Sequence, residues 1–197
     1  MTPLSAEILD TFRNLLAEAR TSGDPDPTAM VLSTTDAGGQ PSSRTVLLKE
    51  VDANGFVFYT NTDSRKGHQL AGNAKAALLF LWKQLRGQVQ VKVEGTVQPV
   101  SAVEADAYFA SRPRLSQIGA WASLQSQTLD SRDTFEQRIA EYDREFAGGD
   151  VPRPPHWSGY RVQPHHVEFW YGAQFRLHER HLYTLHNGAW ERRLLYP

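Results

Sequence analysis

The sequence predicts a mainly β protein in which an antiparallel β-barrel carries peripheral helices. Stretches of aromatic and β-branched residues dominate the first half of the chain, as at 56–60 (Phe-Val-Phe-Tyr-Thr). Turn clusters such as 52–55 (Asp-Ala-Asn-Gly) link neighbouring stretches, which favours hairpins. Val89, Val91 and Val93 alternate with polar residues, which predicts a sheet with one apolar and one polar face. A barrel is the simplest way to close such a sheet.

The predicted elements follow one another along the chain. Apolar residues at helical spacing predict a helix over 5–19, and further helices are expected from 65, from 101 to 111 behind a capping box, and over 129–146. Strands are predicted over 29–34, 46–48, 56–60, 76–82, 88–100, 160–171, 180–185 and 189–195. The continuous apolar run 46–48 predicts a buried strand in a hairpin with 56–60, and Gly95 predicts a bend or bulge.

Length and composition indicate one domain over 1–197, in which 1–25 form an N-terminal helix and linker. The chain has 21 Lys and Arg against 22 Asp and Glu, so a net charge of -1 gives no general attraction to nucleic acid or to anionic membranes. Cysteine is absent, which excludes disulfides and thiolate metal sites, and we predict no metal site. Neither a signal peptide nor a membrane-spanning run is recognisable, and we expect a cytoplasmic protein.

The helix expected from 65 begins with cations. Arg65 and Lys66 follow the polar cap residue Ser64, although the positive end of a helix favours acidic side chains. An anion held by both cations and by the free N–H groups would remove this conflict, and phosphate is the natural candidate. The alternative is that both cations extend into water. Arg44 and Lys49, on the neighbouring predicted strand, favour the anion.

Two other groups of polar residues are candidates for binding an anion. Tyr108 and Arg112 share a helix face at a spacing of four, close to Ser116, although taken alone this pair is better explained as a surface arginine over a tyrosine ring. Period-two alternation places Arg176, His178 and Arg180 on one side of a strand. Such a row of cations needs an anionic partner or water.

Several motifs together resemble the pyridoxamine 5'-phosphate oxidase family over about 26–197. They are SRTVLLK at 43–49, FYTNTDSRKGHQL at 58–70, YFASRPRLSQIGAWAS at 108–123, QS at 125–126 and EFWYGAQFRLHER at 168–180. The resemblance implies an FMN-dependent split β-barrel homodimer with two sites at the subunit interface. It further implies oxidation of pyridoxamine or pyridoxine 5'-phosphate to pyridoxal 5'-phosphate by O2. Hydride transfer from C4' to flavin N5 would reduce the flavin, and its reoxidation by O2 would give H2O2. With the amine, water would hydrolyse the resulting imine and release NH3.

The resemblance also implies which residues do the work. The implied FMN site comprises Arg44, Thr45, Val46, Leu47, Leu48, Lys49, Tyr59, Thr60, Arg65, Lys66, Gln88, Gln125, Ser126, Trp170 and Arg180. The implied substrate site comprises Lys49, Tyr108, Arg112 and Ser116, which would hold the phosphate of the vitamer, together with Arg176, Leu177 and His178. Arg176 and His178 would lie over the vitamer ring as the catalytic pair. Two phosphorylated molecules need two cationic clusters, which agrees with this division.

Some positions depart from the family pattern. Gly87 precedes Gln88 where an arginine is usual, Tyr171 replaces a glutamine, and Glu179 replaces an aspartate. A basic N-terminal arm is also missing, so lid closure and turnover rate are open. Two alternatives to the oxidase are a low-turnover flavin- or pyridoxal-phosphate-binding protein and a split-barrel flavin reductase with another substrate. The second phosphate cluster favours the oxidase over a protein that binds FMN alone.

Overall fold

The chain folds around one nine-stranded sheet, seen in a computed structural model that describes residues 2–197. The strands are Ala29–Thr35 (β1), Pro41–Leu47 (β2), Glu50–Asp52 (β3), Gly55–Asn61 (β4), Lys75–Trp82 (β5), Val89–Pro99 (β6), Trp157–Tyr171 (β7), Glu179–His186 (β8) and Ala189–Leu195 (β9). The helices are Ala6–Ala19 (α1), Arg65–Gly72 (α2), Ala102–Ala110 (α3), Arg114–Ala122 (α4) and Arg132–Glu145 (α5).

The strand order is β2-β1-β5-β6-β7-β4-β3, with β8 paired to β7 and β9 paired to β8. All of these pairings are antiparallel. The prediction of a mainly antiparallel sheet with peripheral helices is therefore confirmed. The predicted irregularity at Gly95 is also confirmed, since the register shifts between Glu94 and Gly95. None of the helices within 2–197 has the length and apolar character needed to cross a membrane.

The main core lies between α1 and the apolar face of the sheet. The ring of Phe12 packs edge-on against Phe56 and Phe80, with ring centroids 4.9 and 5.1 Å apart. The alternating valines of β6 are fully buried in the same core. A second, smaller cluster joins α3, α4 and α5 to the start of β7 through Phe109, Ile118 and Trp157. The sequence pattern therefore placed the dry face of the sheet correctly.

The predicted hairpin between 46–48 and 56–60 is wrong. β2 instead pairs with β1 from Ala29↔Leu47 to Thr35↔Pro41, and the short β3 forms the hairpin with β4. β2 is an edge strand, so its apolar run is not a buried strand, and Leu47 is 38% exposed. The chain changes partner at Leu48 and Lys49, whose N–H groups donate to Thr28 and Val57 carbonyls respectively.

The segment around 176 also differs from its prediction. A short 3-10 turn, Gln174–Arg176, precedes β8, and both Phe175 and Arg176 have positive φ values of 56° and 63°. β8 begins only at Glu179, so strand alternation does not place Arg176 and His178 beside Arg180. Helix α4 was not predicted, because its N-cap position is Pro113, which makes no side-chain capping hydrogen bond.

Candidate active site

A cavity of about 770 Å³ opens between β2, β4 and the α3–α4 corner. The four residues predicted to bind the substrate phosphate all line it: Lys49, Tyr108, Arg112 and Ser116. Several residues predicted to bind FMN line it as well: Thr45, Val46, Leu47, Lys49, Tyr59, Thr60, Lys66 and Gln125. Leu48 does not, because its side chain is buried in the main core. The fold thus collects residues that are up to 80 positions apart in sequence.

Arg112 is the principal cation on the α3–α4 side of this cavity. Its guanidinium carbon lies 4.7 Å from the Trp157 ring centroid and 5.4 Å from that of Phe109. Within residues 2–197, its buried Nη1 has no hydrogen-bond partner. Burial lowers the pKa of Arg112, while Tyr108 acts in the opposite direction. A desolvated cation with an unused donor is well suited to an anionic ligand.

A second cavity of about 300 Å³ adjoins the first and shares Lys66 and Gln125 with it. Arg44, Arg65 and Ser126 also line it. No Asp or Glu of the described chain lines either cavity. Burial and the charge of Arg44 lower the pKa of Lys66 to about 8. The three clustered cations are therefore poorly compensated by protein groups, and the site is suited to a phosphate.

The start of α2 positions Arg65 and Lys66, two of the cations that line the second cavity. Ser64 is fully buried at the N-cap, and its Oγ accepts the N–H of Gly67 at 3.4 Å. The Arg65 N–H donates to Ser126 Oγ at 3.2 Å, and Lys66 Nζ donates to Gln125 Oε1 at 2.5 Å. The cap predicted from the sequence is confirmed. Helix α2 has no acidic residue in its first turn, so the conflict with the helix dipole is present in the fold.

Arg44 is held rigidly by neutral groups. Its guanidinium donates to Leu32 O at 3.1 Å, to Thr34 Oγ1 at 2.6 Å and to Ser42 Oγ at 2.6 Å. Burial and the nearby Arg65 lower the pKa of Arg44. These partners fix the position of the guanidinium but leave its charge unneutralised, so Arg44 adds to the positive potential of the second cavity.

The remaining predicted site residues form a separate group, here called the C-terminal cluster: Gln88, Trp170, Arg176, Leu177, His178 and Arg180. None of them lines the two cavities. Arg180 pairs with Trp170 across β7 and β8, and its guanidinium binds both carboxylate oxygens of Glu168 at 2.7 and 3.1 Å. The His178 ring lies 4.3 Å from that of Trp170. One chain therefore presents two groups of site residues rather than one.

Two family models match consecutive segments of the chain. Residues 16–144 match the family described as pyridoxamine 5'-phosphate oxidase, and residues 157–197 match the pyridoxine 5'-phosphate oxidase C-terminal dimerisation region. The chain belongs to the pyridoxamine 5'-phosphate oxidase family. The resemblance found in its motifs is thereby confirmed. Except for Gln88, the whole C-terminal cluster falls inside the matched dimerisation region.

Curated relatives in this family match along the whole chain. A protein of Xanthomonas campestris pv. campestris (strain 8004), named pyridoxine/pyridoxamine 5'-phosphate oxidase, is 58% identical over 199 residues, covering 100% of both chains. A protein of the same name from Xylella fastidiosa (strain 9a5c) is 57% identical, covering 100% of this chain and 96% of its own. The predicted enzyme class therefore agrees with the names of full-length relatives.

Solved structures support the fold of the family. PhzG from Burkholderia lata 383, in complex with tetrahydrophenazine-1-carboxylic acid, has a TM-score of 0.90 at 31% identity, covering 95% of this chain and 91% of its own. A pyridoxamine 5'-phosphate oxidase-related, FMN-binding protein from Nostoc punctiforme PCC 73102 has a TM-score of 0.73 at 15% identity, covering 95% and 96%. At that identity the second likeness shows the fold alone. The predicted split barrel is confirmed.

Sequence reasoning missed one prominent residue of the first cavity. Trp157 lines the cavity, is only 6% exposed, and stacks with Tyr59 at a ring distance of 5.3 Å. It begins β7 and lies outside every motif that carried the family resemblance. A tryptophan at the start of a strand is ordinarily a core residue, so the sequence alone contained no signal that separates the two roles.

Proposed function

We propose that this protein oxidises pyridoxamine 5'-phosphate and pyridoxine 5'-phosphate to pyridoxal 5'-phosphate, with FMN as cofactor and O2 as electron acceptor. One observation carries the proposal: two adjoining cavities each contain poorly compensated cations, as two phosphorylated molecules side by side require. The names of the full-length relatives agree with it. A protein that bound FMN alone would have no use for the second set of cations.

FMN fits the residues of the second cavity and the adjoining wall. Arg65, Lys66 and Ser126 would hold its phosphate at the start of α2, with Arg44 adding charge behind them. Thr45–Leu47, Tyr59, Thr60 and Gln125 would line the rest of its site. When bound, FMN supplies the hydride acceptor and the route by which electrons reach O2.

The phosphate of the vitamer would be bound at the other end of the first cavity. Arg112 offers its unused donor, Ser116 offers a hydroxyl at the start of α4, and Lys49 Nζ lies 6.0 Å from the Tyr108 ring centroid. Two cations and two hydroxyls match a phosphate dianion with several acceptor oxygens. Binding at this end would leave the vitamer ring pointing towards the FMN wall, so the carbon to be oxidised would be held in place.

A second subunit would complete each site. We propose a homodimer in which the C-terminal cluster of one subunit covers the cavities of the other, with FMN at the interface. In support, the cluster apart from Gln88 lies in a matched dimerisation region, and Phe175 and Leu177 are 89% and 69% exposed in the single chain. Such exposed apolar side chains are typical of an interface. Gln88, Trp170 and Arg180 would then contact FMN.

We further propose that 1–197 form one domain, because strands from both matched segments share one sheet.

Arg176 and His178 would act on the vitamer from the partner subunit. The Ala173 N–H donates to His178 Nδ1 at 3.2 Å, so a neutral His178 carries its proton on Nε2. Nε2 is therefore the atom available to orient the substrate or to pass a proton. Arg176, which like Phe175 before it has a positive φ in an exposed turn, would clamp the substrate once the partner covers it.

Turnover of phosphorylated vitamers tests the proposal. The purified, FMN-loaded protein is mixed with pyridoxine 5'-phosphate in air, and pyridoxal 5'-phosphate and H2O2 are measured together. We expect the two products in equal amounts, and NH3 as well when the substrate is pyridoxamine 5'-phosphate. A vitamer that binds without conversion would instead identify a carrier, and conversion only by another electron donor would identify a reductase.

A further inference from the structure

Trp157 stands at the centre of a group of rings in the wall of the first cavity. Tyr59 and Tyr108 stack on each other with ring centroids 4.0 Å apart, and Trp157 lies parallel to both at 5.3 and 6.1 Å. Phe109 packs edge-on against Trp157 at 5.0 Å. The Arg112 guanidinium lies 4.7 Å from the centre of the Trp157 ring, within the range of a cation–π contact.

The manner in which Arg112 is held matters for binding. A carboxylate partner would neutralise the guanidinium and occupy its N–H donors. An aromatic face attracts the cation through its quadrupole, but it neither neutralises the charge nor occupies an N–H donor. No ion pair within residues 2–197 involves Arg112, and its Nη1 is unpartnered. The tryptophan therefore fixes the guanidinium while leaving it free for a ligand.

The backbone around Trp157 is itself well anchored. Its N–H donates to Pro154 O at 3.1 Å, and its carbonyl accepts from Arg153 Nη1 at 2.7 Å. It also pairs with Asn61 at the end of β4, the strand that carries Tyr59. The indole ring is thus fixed relative to β4, the strand that carries Tyr59, so its position is suited to setting that of Arg112.

We propose that Trp157 is a positioning residue for the phosphate ester of the substrate, acting through Arg112. This inference rests on the proposed function, since it assigns the substrate phosphate to the Arg112 end of the cavity. It predicts that the aromatic face is needed for phosphate affinity and not for FMN binding or for the chemical step. A purely structural role would predict a loss of folding stability without a selective loss of phosphate affinity.

Three variants of the FMN-saturated protein test the proposal: Trp157→Leu, Trp157→Phe and, as a matched control, Trp121→Leu. Trp121 belongs to the same small aromatic cluster but contacts Tyr142 and Phe146 rather than a guanidinium. Inorganic phosphate binding is measured by calorimetry, and KM and kcat are measured with pyridoxine 5'-phosphate. Thermal unfolding and FMN affinity are followed in parallel.

We expect Trp157→Leu to weaken phosphate binding and to raise KM about tenfold, with kcat and FMN affinity within about twofold of wild type. Trp157→Phe, which keeps a ring face, should retain most of the affinity, and Trp121→Leu should change neither constant. Equal phosphate affinity in Trp157→Leu and wild type would overturn the inference. A loss of phosphate affinity in Trp157→Phe as large as that in Trp157→Leu would also overturn it. Phosphate binding by a wild-type protein that oxidises no vitamer would refute the proposed function and leave the role of Trp157 standing.

Discussion

Lys66 Nζ lies 2.5 Å from Oε1 of Gln125, although the two residues are 59 positions apart in the chain. This hydrogen bond joins the first turn of α2 to the segment that follows α4. Both residues line both cavities, so the contact forms part of their common wall. The substrate and cofactor sites proposed for this protein are therefore neighbours because of the fold, and a change at this wall should affect the cofactor first.

FMN affinity should depend on pH through Lys66. The pKa of Lys66 is lowered to about 8, so the free protein loses this proton as the pH rises past that value. A bound phosphate favours the charged lysine and raises its pKa, so binding requires proton uptake above pH 8. We expect a nearly constant affinity between about pH 6.5 and 7, where the FMN phosphate is largely a dianion, and a roughly tenfold loss per pH unit above about pH 8, until the pKa of the bound form is reached.

Titration of the apoprotein with FMN between pH 6.5 and 9.5, followed by flavin fluorescence, measures this dependence. Lys66→Arg is the control, since an arginine stays charged throughout and should flatten the curve. The same slope in Lys66→Arg and wild type would assign the titration to another group.

Arg112→Ala should weaken the binding of the substrate much more than the binding of the cofactor. Loss of a charged hydrogen-bond donor from a buried site should raise the KM for pyridoxine 5'-phosphate roughly 10- to 100-fold, with FMN affinity little changed. Arg65→Ala should show the converse pattern. Parallel kinetic and FMN titrations of both variants check the division, and equal losses in both assays would show that the two phosphate sites are assigned wrongly.

Two inactive variants should restore activity when they are combined. If the C-terminal cluster completes the site of the other subunit, a mixed dimer of Arg112→Ala and Arg176→Ala has one intact site of its two. Co-expression of both variants should therefore give up to about a quarter of wild-type activity at substrate concentrations well below the wild-type KM, where each homodimer is nearly inactive. Activity no higher than that of the separate variants would place both groups in sites within a single chain.

Gly67→Ala should destabilise the protein at the start of α2. A Cβ at this position would lie 1.9 Å from Thr62 O, so the backbone of the cap must move, at a cost of at least about 2 kcal/mol. The affinity for FMN should fall together with the stability, because the cap residues adjoin the proposed phosphate site. Gly72→Ala is a matched control on the same helix, because a Cβ there has nothing within 4 Å and should leave stability equal or slightly higher. Chemical denaturation compares the two, and similar curves would disprove the crowding at Gly67.

Local signals predicted much of the fold. The caps at Ser64 and Ser101, the buried valines of β6 and the irregularity at Gly95 depend on neighbouring residues alone, and the structure confirms them. The partner of β2 depends instead on where the chain changes direction at Leu48, which the apolar run did not reveal. Strand pairing is a tertiary property, so an apolar run alone could not distinguish an edge strand from a buried one.

The site was predictable where motifs carried it. One cavity brings together Lys49, Tyr108, Arg112 and Ser116, as expected. Trp157 was not predicted, because its sequence context does not distinguish a cavity residue from a core residue. The positive φ values of Phe175 and Arg176 broke the alternation expected up to Arg180, because a turn and a strand start cannot be separated by period-two spacing alone. The division of the site into two groups became visible only in the folded chain.

Anaerobic flavin reduction tests the central claim most directly. The FMN-loaded protein is mixed without oxygen with pyridoxine 5'-phosphate or with unphosphorylated pyridoxine, and the yellow flavin absorbance is followed. We expect the phosphorylated vitamer to bleach the flavin at micromolar concentration, with colour returning as O2 is admitted, and pyridoxine to do so far less effectively. A flavin that stays yellow with the phosphorylated vitamer bound, or bleaches equally with both compounds, would contradict the account.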